Sequence, residues 1–341
     1  LLEPGRFETI VSDLRMPGID GFALLRAIRA RDGDLPVVVI TGCPAADTPS
    51  DALELGAIDV LLKPVAADLL VRTVSSSTRL RRLARFARQA MPPAPADAAV
   101  PQGPGLGAQV SRALQTLYLA WQPVVRARDG QAWGQEAFVR TLEPSLAAPD
   151  ALFTAADRLD RGLELGRAVR RAAAADRAWL GSDLLFVNVH PSELADDDLL
   201  DAASPLAAAA GSVVLELTDR TPLDRVAGLR GRIRALRAHG FRLGVDDVGD
   251  GPGSLNRLAL VEPDFVKLRP SVVRGLDLDP ARRRLVGSMT NALHDLGIRV
   301  VATGIETVAE QAAAADAGAD DLQGFLFGRP RPVAAVEGPA A

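Results

Sequence analysis

The chain has 341 residues, 48% of them hydrophobic, and a formal net charge of -4. That length accommodates one large domain or two ordinary ones with real cores, and the mild acidity gives no basic face for nucleic acid. No apolar run reaches the roughly 18 residues that a membrane-spanning helix requires, nothing at the N-terminus reads as a signal peptide, and Cys43 as the sole cysteine excludes an internal disulfide. The cysteine usage fits a reducing cytoplasm, and from the charge and the apolar runs neither a nucleic acid nor a membrane is expected as a partner. The chain opens on Leu1 rather than methionine, and the expectation is that its natural N-terminus lies further upstream.

Residues 8–65 alternate apolar runs with helical spacing. Thr9-Ile10-Val11-Ser12 reads as a strand ending at Asp13, Phe22 to Ala30 as a helix, and Pro36 to Ile40 as a buried strand ending at Thr41-Gly42. Asp51 to Leu55 reads as a short helix closed by Gly56, and Val60 to Leu62 as a strand ending at Lys63-Pro64. Continuous β-branched runs between helices predict a parallel sheet covered on both faces. Its ligand-facing residues sit at strand carboxyl ends, where Asp13, Thr41 and Lys63 stand. Residues 66–90 predict a helix whose basic second half, Arg79 to Arg88, reads as a solvated face. A Pro/Ala/Gly linker follows to about residue 107. The predicted organisation is residues 1–75, a basic helix and linker over 76–107, and a second domain over 108–335.

From residue 108 the alternation resumes. Strands are predicted at 118–125, 132–139, 184–189, 212–217, 241–246, 264–268, 298–302 and 320–323. Thr221-Pro222 with Asp224 predicts a capped helix start ended by Gly240, and Asp279-Pro280 another ended by Gly297. Some eight strands alternating with helices predict a (β/α)8-type barrel whose strand-end polar residues converge on one mouth.

At those strand ends stand Glu136, Asn188, Glu216, Asp246, Asp247 and Lys267, with Arg140, Glu306 and Gln323 close behind. Asp246-Asp247 is the most informative pair. Two adjacent carboxylates repel each other, and at a strand end they need a cation or a solvated mouth. Of 39 basic residues only Lys63 and Lys267 are lysines, and both follow apolar strands. A compact ammonium serves as a point charge where the broad guanidinium does not. Oxygen donors without His or Cys suit a hard cation, magnesium or manganese, and Arg140 and Lys267 could hold phosphate charge. The residues alone point to metal-assisted phosphodiester hydrolysis. The competing reading is that several of these acids are caps or solvated side chains.

The local strings are specific in combination. Trp121-Gln122-Pro123-Val124-Val125 and Gly134-Gln135-Glu136-Ala137-Phe138-Val139-Arg140 resemble the opening "QPI…GxEALxR" of the EAL family of bacterial cyclic di-GMP phosphodiesterases, which are modified TIM barrels. Phe186-Val187-Asn188-Val189-His190 resembles its "NxS" strand, Leu215 to Asp219 "ELTE", and Val245 to Gly251 "DDFGTG". Phe265 to Leu268 resembles "KID", Val301 to Thr307 "AEGVET", and Leu322 to Pro330 "QGYxxGxP". Eight such strings in order identify residues 108–333 as resembling that family. The resemblance implies Mg²⁺ or Mn²⁺, with Glu136, Asn188, Glu216 and Asp246 on a first ion and Asp246 and Asp247 sharing a second. It implies Lys267 beside the attacked phosphate, Arg140 on the substrate phosphate, and Gln323 and Glu306 in support. Lys267, Glu306 and Asp247 are the catalytic candidates, and cyclic di-GMP the implied ligand.

The departures bear on activity. Where the family carries the first glutamate of "AEGVET", associated with the second metal and water activation, this chain has Thr303. A hydroxyl cannot serve as general base at neutral pH, and losing that base costs roughly 10²–10⁴ in rate. Val248, Asp250 and Pro252-Gly253 alter the loop after the aspartate pair. Arg269 replaces the Asp of "KID" and shares a strand face with Lys267. Impaired catalysis is the expectation, and compensation by another acid such as Asp250 the alternative.

Residues 8–75 resemble a CheY-like two-component receiver. Val11 to Gly21 is close to "DxxMPxxDG", so the resemblance implies Asp13 as phospho-acceptor, Thr41 as switch hydroxyl and Lys63 as phosphate-binding lysine. The acidic Mg²⁺-binding pair would lie upstream of Leu1, and Val60 replaces the usual switch aromatic, so poor phosphorylation of this truncated, doubly wound unit is expected. A sensor histidine kinase is the implied partner of the intact receiver, and a homodimer is compatible with the reading. The functional expectation is phosphorylation-controlled hydrolysis of cyclic di-GMP to pGpG, with a non-hydrolysing sensor or docking module as the alternative. A barrel hydrolase with another substrate is a third and weaker reading.

Overall fold

The computed structural model describes residues 7–14, 16, 20–32, 35–42, 52, 55, 57–90, 105–180, 184–217, 223, 226, 228–248, 258 and 260–333. The N-terminal unit is a parallel sheet of β1 (Ile10–Asp13), β2 (Val37–Thr41) and β3 (Asp59–Leu62) in that order. Helix α1 (Gly21–Arg31) starts at Asp20, whose carboxylate accepts from the Phe22 N–H. It buries Leu25 and Ile28 against Leu35, Val37 and Val39. Gly21 is required by contact: a Cβ there would lie 2.6 Å from the Leu14 Cα. The short helix expected at 51–55 lies outside the described residues apart from 52 and 55.

Helix α2 (Ala67–Ala90) runs straight through residue 75. The expectation of a solvated basic face fails at one position. Arg81 is buried and pairs with Asp32 at 2.7 Å, at the end of α1. The Thr78 hydroxyl lies 2.8 Å from that of Thr9. The N-terminal unit therefore engages side chains beyond residue 75.

The second unit is a closed barrel. Its strands are β4 (Leu117–Arg126), β5 (Ala132–Thr141), β6 (Leu184–Val189), β7 (Val213–Leu217), β8 (Arg242–Val248), β9 (Phe265–Leu268), β10 (Arg299–Ala302) and β11 (Asp321–Gln323). A short β12 (Arg331–Pro332) pairs antiparallel with β4 at Ala120 and Trp121. From β5 to β11 the pairs are parallel. However, β4 is antiparallel to both neighbours, β5 and β11. The cause is local: Asp129-Gly130 turns the chain tightly, with Gly130 at φ 68, so β4 and β5 form a hairpin where a (β/α)8 barrel has a helical crossover.

Around the barrel lie α3 (Leu106–Gln115), α4 (Pro149–Arg158), α5 (Gly162–Leu180), α6 (Asp197–Leu200), α7 (Leu229–Ala238), α8 (Pro270–Val273), α9 (Pro280–His294) and α10 (Val308–Asp316). The predicted start of α9 holds, with Asp279 accepting from Ala281 and Arg282 N–H groups. The start expected at Thr221-Pro222 lies outside the described residues, and α7 spans Leu229–Ala238 behind a left-handed Gly228. Outward-facing Leu185, Val187, Leu215, Leu243, Val266 and Val300 form the main core with these helices. Inside, period-two alternation builds layers. A floor of Val124, Phe186, Val214, Phe265 and Val301 packs together, with Phe186 and Phe265 edge-to-face at 5.4 Å. Gly134 leaves room for it, since a Cβ there would meet the Phe186 ring at 2.8 Å. One step along each strand, the layer above presents Glu136, Asn188, Glu216, Asp246, Lys267 and Thr303.

Candidate functional site

The centre of that upper layer is an ion cluster. The Lys267 Nζ lies 2.8 Å from Glu136 Oε2 and 2.7 Å from Glu216 Oε2, with all three side chains buried. Asn188 donates from Nδ2 to Glu136 Oε1 at 3.0 Å, and Gln323 donates from Nε2 to Glu136 Oε2 at 2.6 Å. The ammonium also stands 5.1 Å above the Phe186 ring centre, so the apolar floor strips water from beneath the charges. Gly244 makes space for Glu216, because a Cβ there would approach its Cγ to 3.2 Å.

The two glutamates differ electrostatically. Burial pushes the Glu136 carboxyl up, but the Lys267 charge and hydrogen bonds from Lys267, Gln323 and Asn188 outweigh it and leave it below the usual carboxylate range. Burial also pushes Glu216 up. There the nearby Glu136 and Asp246 charges add to the effect, and it stays well above that range despite Lys267. Burial opposes the charge on Lys267, yet Glu136, Glu216 and Asp246 hold its pKa above the ordinary lysine value.

The aspartate pair sits on a β-bulge. Val245 pairs with Val266 and Val248 with Leu268, so Asp246 and Asp247 together face the single residue Lys267 of β9. Asp246 lines the mouth. The side chain of Asp247, and the whole of Asp250, lie outside the described residues.

Two cavities share Glu136, Phe138 and Asp246. One, of about 330 Å³, is also lined by Gln122, Lys267, Thr303, Glu306 and Gln323. The other, of about 440 Å³, extends past Asn188 and Arg269 to Phe153 and His190. Thr303 lines the smaller cavity with its hydroxyl proton already committed. Its hydroxyl donates to the Leu268 carbonyl at 2.7 Å. Glu306 is at the rim, where Arg274 donates to it, rather than in the buried cluster. Arg140 follows Glu136 and Phe138 on the same strand face. It lies 5.9 Å over the Phe138 ring, donates to the Val139 carbonyl, and lines neither cavity.

The pattern of strand ends did not reveal Phe153, Arg274 or Glu193. Phe153 comes from α4 and Arg274 from the end of α8, and no strand-end rule points to either. Glu193 lines the larger cavity and belongs to a buried network where Arg170 bonds Glu193, Asp196 at 2.7 Å and Asp198 at 2.9 Å. The string Glu193-Leu194-Ala195-Asp196-Asp197-Asp198 facing Arg167 and Arg170 on α5 was its available sign.

A divalent cation fits the donor set on chemical grounds. Glu216 Oε1 is buried without a hydrogen-bond partner, three carboxylates surround one ammonium, and all the donors are oxygen. Among the described residues no three acidic, His or Cys side chains converge on one point as they stand. Lys267 fills the space between Glu136 and Glu216.

In the N-terminal unit, Asp13, Thr41 and Lys63 all stand at the carboxyl end of the sheet. Lys63 Nζ lies 2.5 Å from Asp13 Oδ2, and Thr41 is buried. No helix among the described residues is long and apolar enough to cross a membrane.

Fold and mouth together define a TIM-like barrel with an acidic, oxygen-lined site. Residues 108–330 match the EAL domain family, and residues 1–75 match the response regulator receiver domain. The chain belongs to the EAL domain family and carries a receiver domain ahead of it. It is 28% identical over 351 residues to the cyclic di-GMP phosphodiesterase RocR of Pseudomonas aeruginosa, covering 96% of this chain and 85% of RocR. It resembles the solved PaMucR phosphodiesterase in its c-di-GMP complex, at 26% identity and TM-score 0.56, covering 65% of this chain and 99% of that one. It also resembles Klebsiella pneumoniae BlrP1 in a manganese/cy-diGMP complex, at 26% identity and TM-score 0.56, covering 81% of this chain and 74% of BlrP1. The chain spans about a third of the length of several curated relatives that it matches at 31% identity.

Proposed function

We propose that this chain is a cytoplasmic cyclic di-GMP-binding protein under receiver control, with weak phosphodiesterase activity producing pGpG. The observation that carries the reading is the Glu136–Lys267–Glu216 cluster opening into two joined cavities. Glu136, Asn188, Glu216 and Asp246 would hold one Mg²⁺ or Mn²⁺. Asn188 donates from its nitrogen to Glu136, which leaves its carbonyl oxygen for the cation. A bound ion would polarise a phosphoryl oxygen and lower the pKa of a coordinated water.

The chain's own residues do the rest. Lys267 holds two carboxylates in place and supplies fixed positive charge beneath the phosphodiester. Gln323 and Asn188 orient Glu136. Phe153 and Phe138 offer apolar faces to the bases, and Arg140 and Glu306 act from outside the buried cluster. Thr303 supplies neither base nor anion, which makes turnover slow. The same residue favours a second reading, a sensor that does not hydrolyse its ligand. Through Asp13, Thr41 and Lys63, the intact receiver would take phosphate from a histidine kinase.

The test is pGpG release by the full chain with Mg²⁺ or Mn²⁺, beside RocR and beside Thr303→Glu. The expected result is wild-type turnover below RocR by about 10²-fold or more, with a gain in the variant. Wild-type turnover equal to RocR would overturn the impaired-catalysis reading.

A further inference from the structure

Two departures from the family strings, Thr303 and Arg269, meet at one carbonyl. Thr303 lies on the wall of the smaller cavity and Arg269 on the wall of the larger, on either side of the shared Asp246. Both the N–H and the hydroxyl of Thr303 donate to the Leu268 carbonyl, at 3.2 and 2.7 Å, and Leu268 is the residue before Arg269. The next residues lock the same turn. Gly304, at φ +77, packs so closely on Pro270 that a Cβ would lie 2.5 Å from the proline Cβ. An ionised glutamate at 303 has no hydrogen to donate to that carbonyl.

The charges point the same way. A cyclic dinucleotide brings two anionic phosphodiesters to a mouth already lined by Glu136, Glu216 and Asp246. Relative to the family strings, position 303 loses a negative charge and position 269 exchanges one for a positive charge. A guanidinium takes a phosphate bidentately through its planar fork.

We propose that Thr303 is a positioning residue that fixes the Leu268–Arg269 turn, and that Arg269 is a ligand-binding residue that grips a phosphodiester of the bound cyclic dinucleotide. The built-in cation replaces the charge of a divalent ion, so ligand binding persists without metal. This inference rests on the proposed cyclic di-GMP reading.

Calorimetric titration of the full chain with cyclic di-GMP, in Mg²⁺ and in excess EDTA, tests it. The wild type is expected to bind in EDTA within about tenfold of its affinity in Mg²⁺. Arg269→Asp is expected to lose roughly 30-fold or more, and Arg269→Lys less. Thr303→Val is expected to weaken binding in EDTA, and Thr303→Ser, which keeps the donor, to restore it. Wild-type binding abolished by EDTA, or an Arg269→Asp variant that binds as the wild type does, overturns this inference and leaves the cyclic di-GMP reading standing. Equal affinities for Thr303→Val and Thr303→Ser overturn the positioning role. No binding in either buffer overturns both readings.

Discussion

The molecule's two lysines make similar contacts in opposite surroundings. Lys63 meets Asp13 at the end of a parallel sheet, with side chains 50% and 27% exposed. Lys267 meets Glu136 and Glu216 inside the barrel, with side chains 2%, 5% and 0% exposed. In the first case water screens the pair, and either partner can be released at little cost. In the second, each charge has surrendered its hydration and depends on the others. The same residue type therefore builds a water-screened contact in one unit and a buried electrostatic scaffold in the other. The flanking sequence separates them: Lys63 opens a Lys-Pro turn beyond its strand, whereas Lys267 is internal to β9, two residues after Phe265 of the apolar floor.

The most damaging change on this view is Lys267→Met. It removes the charge that holds two buried carboxylates together, and breaking such a pair typically costs about 3–5 kcal/mol. Urea unfolding at pH 7 should show that loss. Adding Glu216→Gln to the variant should recover part of it, because fewer uncompensated charges remain. A Lys267→Met loss below about 1 kcal/mol would erase the distinction between the two lysine sites.

Much of this contrast was legible in the sequence. β6 spans the predicted Leu184–Val189, and the polar strand ends converge as the alternation implied. Three features needed the fold. The bulge at Asp246-Asp247 arises from pairing with β9, which local propensity does not encode. The reversed β4 follows from a short turn over residues 127–131 whose consequence appears only on barrel closure. Arg81 looked like one of a run of solvated arginines, and only the position of Asp32 at the end of α1 makes it a buried partner. The acidic site was readable because each ligand-type residue lies one alternation step above a core residue. Arg274 and Phe153 were not, because they reach the mouth from outside the strands.

Glu193 extends the comparison to a buried acid near the mouth. Burial pushes its carboxyl from the ordinary 4.5 up to about 7, even though Arg170 opposes the shift. The folded state therefore holds this proton more tightly than the unfolded chain does. Its stabilisation is fully present below about pH 4.5 and is lost as the pH rises to about 7. Across that window Glu193→Gln should gain on the wild type by on the order of 3 kcal/mol, read as the difference between two urea-unfolding series. A difference that is flat with pH would show that Glu193 is ionised in the folded protein at pH 5.

The smallest effect is expected at the exposed lysine. Lys63→Ala removes a surface ion pair, and such pairs contribute about 0–1 kcal/mol. Its unfolding midpoint should fall little, and 1 M salt should diminish the difference further, because screening weakens an exposed contact. Lys267→Met should respond far less to salt, since its charges are shielded by protein rather than by ions. The two salt responses separate the sites even if the losses at low salt turn out closer than expected. A Lys63→Ala loss that persists in 1 M salt would mean that Lys63 acts through packing in the N-terminal unit, and the contrast with Lys267 would then be one of degree.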